Sequence, residues 1–140
     1  DRIVRAAGGS VEGKTIAVLG LTFKPNTDDM RDAPSLIIIP GLQELGATIR
    51  AYDPEGMEES RQHFSDVDYR GSAYDCMDKA DLAVIITEWD EFRALDLERV
   101  AGLLNDRVLV DLRNIYKRAE LEGTGLSYFS IGRPDVTAGK

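Results

Sequence analysis

Five short apolar or β-branched runs stand at Thr15–Leu21, Ala47–Tyr52, Leu82–Thr87, Val108–Leu112 and Leu126–Ile131. Helix-like patterns separate them, at about Pro34–Leu45, Glu55–His63, Ser72–Lys79, Asp90–Leu104 (broken near Asp96) and Lys117–Glu122. A weaker strand candidate lies at Val67–Tyr69. This alternation is the feature that most limits the possible folds. Strands that alternate with helices pair in parallel, because each crossover helix carries the chain back to the same edge of the sheet. The pattern predicts an α/β, three-layer Rossmann-like domain with a mostly parallel sheet of about six strands, the strand after Gly13 near its centre.

The size is that of one domain: 140 residues, 43% hydrophobic and 30% charged, enough to bury a single core. A net charge of −8 argues against a nucleic-acid surface, which needs a concentrated basic face. No apolar run approaches the roughly 20 residues that span a bilayer, and the opening DRIVRAAGG lacks a signal-peptide core. One cysteine, Cys76, excludes an internal disulfide and suits a reducing cytoplasm. Gly8-Gly9-Ser10 reads as a joint after a short amphipathic leader, so residues 1–10 are set apart from a body at 11–133 and a tail at 134–140.

The stretch GLTFKPNTDDMRDAPS, residues 20–35, carries an apolar strand straight into mixed charge. Pro34 suits the first turn of the helix that follows, because it has no N–H to leave unpaired. Asp32, just before it, can cap the helix and suits its positive end. Pro40 inside the helix removes one hydrogen bond and predicts a kink, and Gly46 stands where a left-handed stop is wanted.

In a parallel sheet all strands deliver their carboxyl ends to one edge, where ligands bind. Those ends are Phe23-Lys24, Asp53-Pro54, Glu88-Trp89-Asp90 and Asp111-Leu112-Arg113-Asn114. Lys24, Arg31 and Arg113 are therefore the cations most apt to meet on one edge, and Pro25 holds Lys24 extended. An aromatic ring, an ammonium, two guanidiniums and a helix start suit a nucleotide phosphate. The first turn has no Gly-x-Gly-x-x-Gly, so a dinucleotide pyrophosphate cannot approach its backbone in the usual way, and Asp53 before Pro54 opens a turn.

GLTFKPNTDDMRDAPS, followed by GATIRAYDP, DLAVIITEWDEF and VLVDLRNIY, closely resembles the C-terminal nucleotide-binding domain of UDP-glucose 6-dehydrogenases, from about Gly13 to Arg133. The resemblance implies the last third of an enzyme that oxidises UDP-glucose twice, with two NAD⁺, to UDP-glucuronate. It further implies an N-terminal NAD-binding half, a central helix that joins the halves and forms a homodimer, and Asp1–Ala7 as the end of that helix. Phe23, Lys24 and Arg113 match positions that contact the UDP-sugar, and Arg31 matches an arginine that reaches NAD. Pro25-Asn26 favours the UDP sugar over GDP-mannose, with other UDP-hexose dehydrogenases still open.

Other readings stand beside these. Lys24 and Arg113 could be solvated strand ends, and Arg31 could pair with Asp28, Asp29 or Asp32. Asp28 and Asp29 suit loop hydrogen bonds better than a metal, Trp89 a rim or core position, and His63 solvent. Aldehyde oxidation by hydride transfer needs a thiolate, but Cys76 lies in YDCMDKAD, among carboxylates that weaken a thiol, and reads as packing. No catalytic residue is therefore assigned to this chain, which is expected to be inert alone. A stand-alone nucleotide-binding module and a purely structural α/β domain are the alternatives.

Overall fold

Alternate residues of the central strands fall into two separate apolar clusters, as a sheet covered on both faces requires. In β1 (Thr15–Leu19), Ile16 and Val18 enter one cluster while Ala17 and Leu19 enter the other. Leu82 and Val84 of β4 (Leu82–Ile85) join the first cluster, Ala83 and Ile85 the second. Those four β4 residues are fully buried, each large one contributing about 1.5–3 kcal/mol by burial. A computed structural model describes residues 2–22, 24, 29–31 and 33–131 of the chain.

The remaining strands are β2 (Thr48–Tyr52), β3 (Val67–Tyr69), β5 (Val108–Asp111) and β6 (Ser127–Ser130). All pairings are parallel and the order is β3-β2-β1-β4-β5-β6, which puts β1 and β4 at the centre. The weak run at Val67–Tyr69 is thus a true strand, on the edge beside β2. Order reverses between β1 and β4, and such a switch point opens a crevice at the carboxyl edge.

Helices α1 (Arg2–Ala6) and α2 (Ser35–Glu44) contribute to the Ile16 face, together with Met57 of α3 (Met57–Ser60). The Leu19 face is covered by α4 (Ala73–Met77), α5 (Asp90–Arg93), α6 (Leu97–Leu103) and α7 (Arg118–Leu121). The break expected near Asp96 is there: its carboxylate accepts from the Arg99 N–H and caps α6.

Gly46, at φ +95°, closes α2 as expected. Its N–H donates to the Gln43 carbonyl and that of Ala47 to the Leu42 carbonyl, the paired bonds of a Schellman stop. The same pair closes α1, from Gly8 to Arg5 and from Gly9 to Val4. The leader's glycines therefore serve as a helix stop, and Ile3 and Ala6 are buried against the sheet. Asp32, the cap expected for α2, lies outside the described residues, and α2 begins after Pro34.

Candidate functional site

The carboxyl ends of β1 and β4 approach closely because Gly20 has no side chain. A Cβ there would stand 2.6 Å from Thr87 Cβ and 2.7 Å from Thr87 N, and Gly20 holds φ +93°. This glycine serves strand-to-strand packing. The first turn provides no glycine cradle for a dinucleotide, so this edge alone does not fit the usual pyrophosphate mode.

Two fully buried aspartates organise the loops along this edge. Asp53, after β2, accepts through Oδ2 from the N–H groups of Leu21 (2.7 Å) and Thr22 (3.2 Å) and from the Trp89 indole (3.3 Å). Its Oδ1 accepts from Glu55 N (2.9 Å) and Gly56 N (2.7 Å). The turn opening assigned to Asp53 is real, but the same carboxylate also binds the loops after β1 and β4. Of the rim and core positions open to Trp89, it takes the core, and it owes its place partly to that bond. Asp111, the last residue of β5, accepts from Arg113 N (2.9 Å), Ile115 N (2.8 Å) and the Tyr128 hydroxyl (2.5 Å). Asn114, at φ +55°, exchanges side-chain bonds with the backbone of Ile131 and ties this loop to the end of β6.

The three candidate cations all leave this edge, each differently held. Lys24 is exposed, and its carbonyl accepts from the Thr22 hydroxyl at 3.0 Å. Arg31 forms an ion pair with Asp29 at 3.0 Å, its side chain 89% exposed. The hydrogen bond from that guanidinium, then the bond from the Arg31 N–H, holds the Asp29 carboxyl down at about 2, with a smaller contribution from the charge of Lys24. Asp29 is thus one of the partners weighed for Arg31, and a loop hydrogen-bonder. Arg113 donates through Nε (3.1 Å) and Nη2 (2.6 Å) to one oxygen of Glu88, the residue after Thr87. Burial raises the Glu88 carboxyl, but the hydrogen bonds and the Arg113 charge outweigh it and leave it lowered. Arg113 therefore uses one side of its fork on Glu88. Phe23, Pro25, Asn26 and Asp28 lie outside the described residues.

Sequence reasoning gave no role to Asp111, Thr22 or Glu88. The usable signal was an acid closing an apolar strand, in AYDP and VLVDLRN, where a buried carboxylate can collect the orphan amides of the next turn. Tyr52, beside Asp53, donates to both carboxyl oxygens of Glu91; burial first, then that carboxylate, pushes its phenol up to about 12.

Cys76 is fully buried on α4, and burial pushes its thiol up to about 12. The main cause is desolvation; Asp75 and Asp68 add less than the sequence suggested, and Arg50 and Arg70 oppose them. Such a thiol is a packing group. It should react with a thiol reagent at pH 8 at least about a hundredfold more slowly in the native chain than in denaturant. Equal rates in the two conditions would contradict this placement. Among the described residues no cluster of His, Cys, Asp or Glu is set to hold a metal, and no helix is long and apolar enough to cross a membrane.

An all-parallel sheet with a switch point at β1 and β4, buried acids tying its loops and cations on its carboxyl edge, defines a Rossmann-like α/β domain. The model of the UDP-binding domain of the UDP-glucose/GDP-mannose dehydrogenase family matches residues 17–118, and the chain belongs to that family. It is 52% identical to a UDP-glucose 6-dehydrogenase of Rhizobium meliloti over 96% of its own length and 31% of that protein's. It is 46% identical to the UDP-glucose 6-dehydrogenase TuaD of Bacillus subtilis, over 91% of this chain and 28% of that one. The solved UDP-glucose dehydrogenase of Pyrobaculum islandicum superposes with a TM-score of 0.74 at 30% identity, over 91% of this chain and 27% of that structure. The chain thus spans about a third of its relatives' length.

Proposed function

We propose that this chain is the UDP-sugar-binding C-terminal domain of an NAD-dependent dehydrogenase that oxidises UDP-glucose to UDP-glucuronate. Lys24, Arg31 and Arg113 stand in the loops after β1 and β5, at the carboxyl edge of the sheet, and that placement carries the reading. The reversal of strand order between β1 and β4 supports this edge, since open parallel sheets bind ligands at such a point. In this reading Phe23, Lys24 and Arg113 hold the sugar nucleotide. The bond to Glu88 orients Arg113 and leaves Nη1 for a ligand oxygen.

NAD belongs mainly to the other half of the enzyme. Arg31 is this chain's contribution to it, reaching across from its pairing with Asp29 on a largely exposed side chain. The cysteine that forms the thioester lies outside this chain, since Cys76 is buried and protonated, and the isolated chain is inert. Residues 1–10 form the end of a central linking helix and its joint, 11–133 the binding domain and 134–140 a tail. The full enzyme is a cytoplasmic homodimer.

Steady-state kinetics of the full-length enzyme, with each substrate varied separately, test these assignments. Arg113→Ala should raise the KM for UDP-glucose about tenfold or more and leave that for NAD within about twofold, because a charge-assisted hydrogen bond contributes about 1.5–3 kcal/mol. Arg31→Ala should do the reverse. The reading of either arginine fails if its variant leaves both constants unchanged.

A further inference from the structure

We propose that Asp53 and Thr22 act together as positioning residues that set Lys24 against the sugar nucleotide. The inference rests on the reading of Lys24 as a ligand-binding group. Asp53 is buried completely, yet the groups that approach it are four backbone N–H groups, an indole N–H and a hydroxyl. A buried carboxylate is costly unless its oxygens are satisfied, and an apolar residue would fill the space more simply. What the acid adds is a fixed point shared by three loops, those after β1, β2 and β4.

From that point a chain of bonds runs to Lys24. Asp53 Oδ2 accepts from the Thr22 N–H, and the Thr22 hydroxyl donates to the Lys24 carbonyl at 3.0 Å. The hydroxyl also lies 3.3 Å from Asp53 Oδ2. It has one proton, and the shorter contact is the one to Lys24. Thr87 holds the same residue from the β4 side, its hydroxyl donating to the Thr22 carbonyl at 2.7 Å. Ser35 at the start of α2 donates to the Leu21 carbonyl at 2.6 Å. The turn after β2 is pressed against this assembly: a Cβ on Gly56 would stand 2.4 Å from Thr22 Cγ2. Thr22 is therefore held by several elements, and Lys24, two residues on and bonded to it through its carbonyl, has an exposed side chain. A lysine has a long, flexible stem, so the direction of its first bonds decides where the ammonium spends its time.

Two variants in the full-length enzyme test this. Thr22→Val keeps the shape and the N–H bond to Asp53 but cuts the link to the Lys24 carbonyl. Asp53→Asn puts an NH₂ where every neighbour is a donor. Each should raise the KM for UDP-glucose about fivefold or more and leave the KM for NAD within about twofold, since small misplacements of a binding group carry large costs. Thr22→Ser should restore the parent value. In a Lys24→Ala background, Thr22→Val should add less than about twofold, because the group it positions is gone. If Thr22→Val raises KM by the same factor with and without Lys24, the pair does not act through the lysine and the inference is overturned. It is overturned too if Thr22→Val leaves the UDP-glucose KM unchanged while Lys24→Ala raises it. If Lys24→Ala itself has no effect, the reading of Lys24 fails first and this inference falls with it. Should Asp53→Asn fail to fold, Thr22→Val and its serine rescue decide the question.

Discussion

Gly20→Ala is expected to lower the melting temperature of this chain by roughly 6–25 °C. Two costs add. An L-residue at φ +93° is strained, by about 1–2 kcal/mol. The new methyl would also meet Thr87 Cβ at 2.6 Å and Thr87 N at 2.7 Å, and the backbone atom cannot swing aside. Overpacking of that kind costs about 1–3 kcal/mol. Relief would require β1 and β4 to part at their carboxyl ends, where the Ile86 N–H donates to the Leu19 carbonyl at 2.9 Å. Together these reach about 2–5 kcal/mol, and each kcal/mol shifts the midpoint of a domain this size by about 3–5 °C. Gly102→Ala is the matched control: the site is on α6, exposed, with nothing within 4 Å of a new Cβ. That change should stabilise by up to about 1 kcal/mol. Equal melting points for the parent and Gly20→Ala would mean that the strands do not meet as described.

That close approach was not legible in the sequence. The strands themselves were, because a sheet buried on both faces needs unbroken apolar runs and leaves little else for LAVI or VLVD to be. Their ends were overrun by one or two residues, since Leu21, Ile86 and Leu112 stay apolar after the ladder has ended. They pack under loops rather than in strands. The helical pattern at Glu55–His63 shrank to Met57–Ser60 for a related reason: polar residues with helical propensity do not hold a helix without a buried stripe. At the site, the cations could be found because strand ends share an edge. The acids could be marked as strand ends, but their partners could not be read. An aspartate after a strand looks alike whether it faces water, a ribose or three loops, and only the fold brings Leu21, Gly56 and Trp89 around Asp53. The partners of Arg31 and Arg113 divide the same way: Asp29 is two residues from Arg31, whereas Glu88 reaches Arg113 from the neighbouring strand.

Lys24→Ala in the full-length enzyme should weaken the use of UDP-glucose by at least about tenfold. A charge-assisted hydrogen bond from its ammonium to a ligand oxygen is worth about 1.5–3 kcal/mol, and nothing on the exposed side chain supports the core. Folding should therefore be nearly intact, with the melting point within about 2 °C of the parent. The contrast with Gly20→Ala is the point of the pair. Four residues apart in one loop, the glycine should cost stability, and the lysine should cost binding. A loss of UDP-glucose use that tracks a lowered melting point would make Lys24 a structural strand end.

The claim beneath all of this is that the carboxyl edge of this sheet holds the sugar nucleotide. Calorimetric titration of UDP-glucose into the full-length enzyme, without NAD so that nothing turns over, tests it most directly. Wild type and the double variant Lys24→Ala/Arg113→Ala should differ by about a hundredfold or more in Kd, two charge-assisted bonds having been removed, while NAD titrated separately binds both alike. Equal Kd values for UDP-glucose in two folded proteins would place the ligand elsewhere and contradict the account.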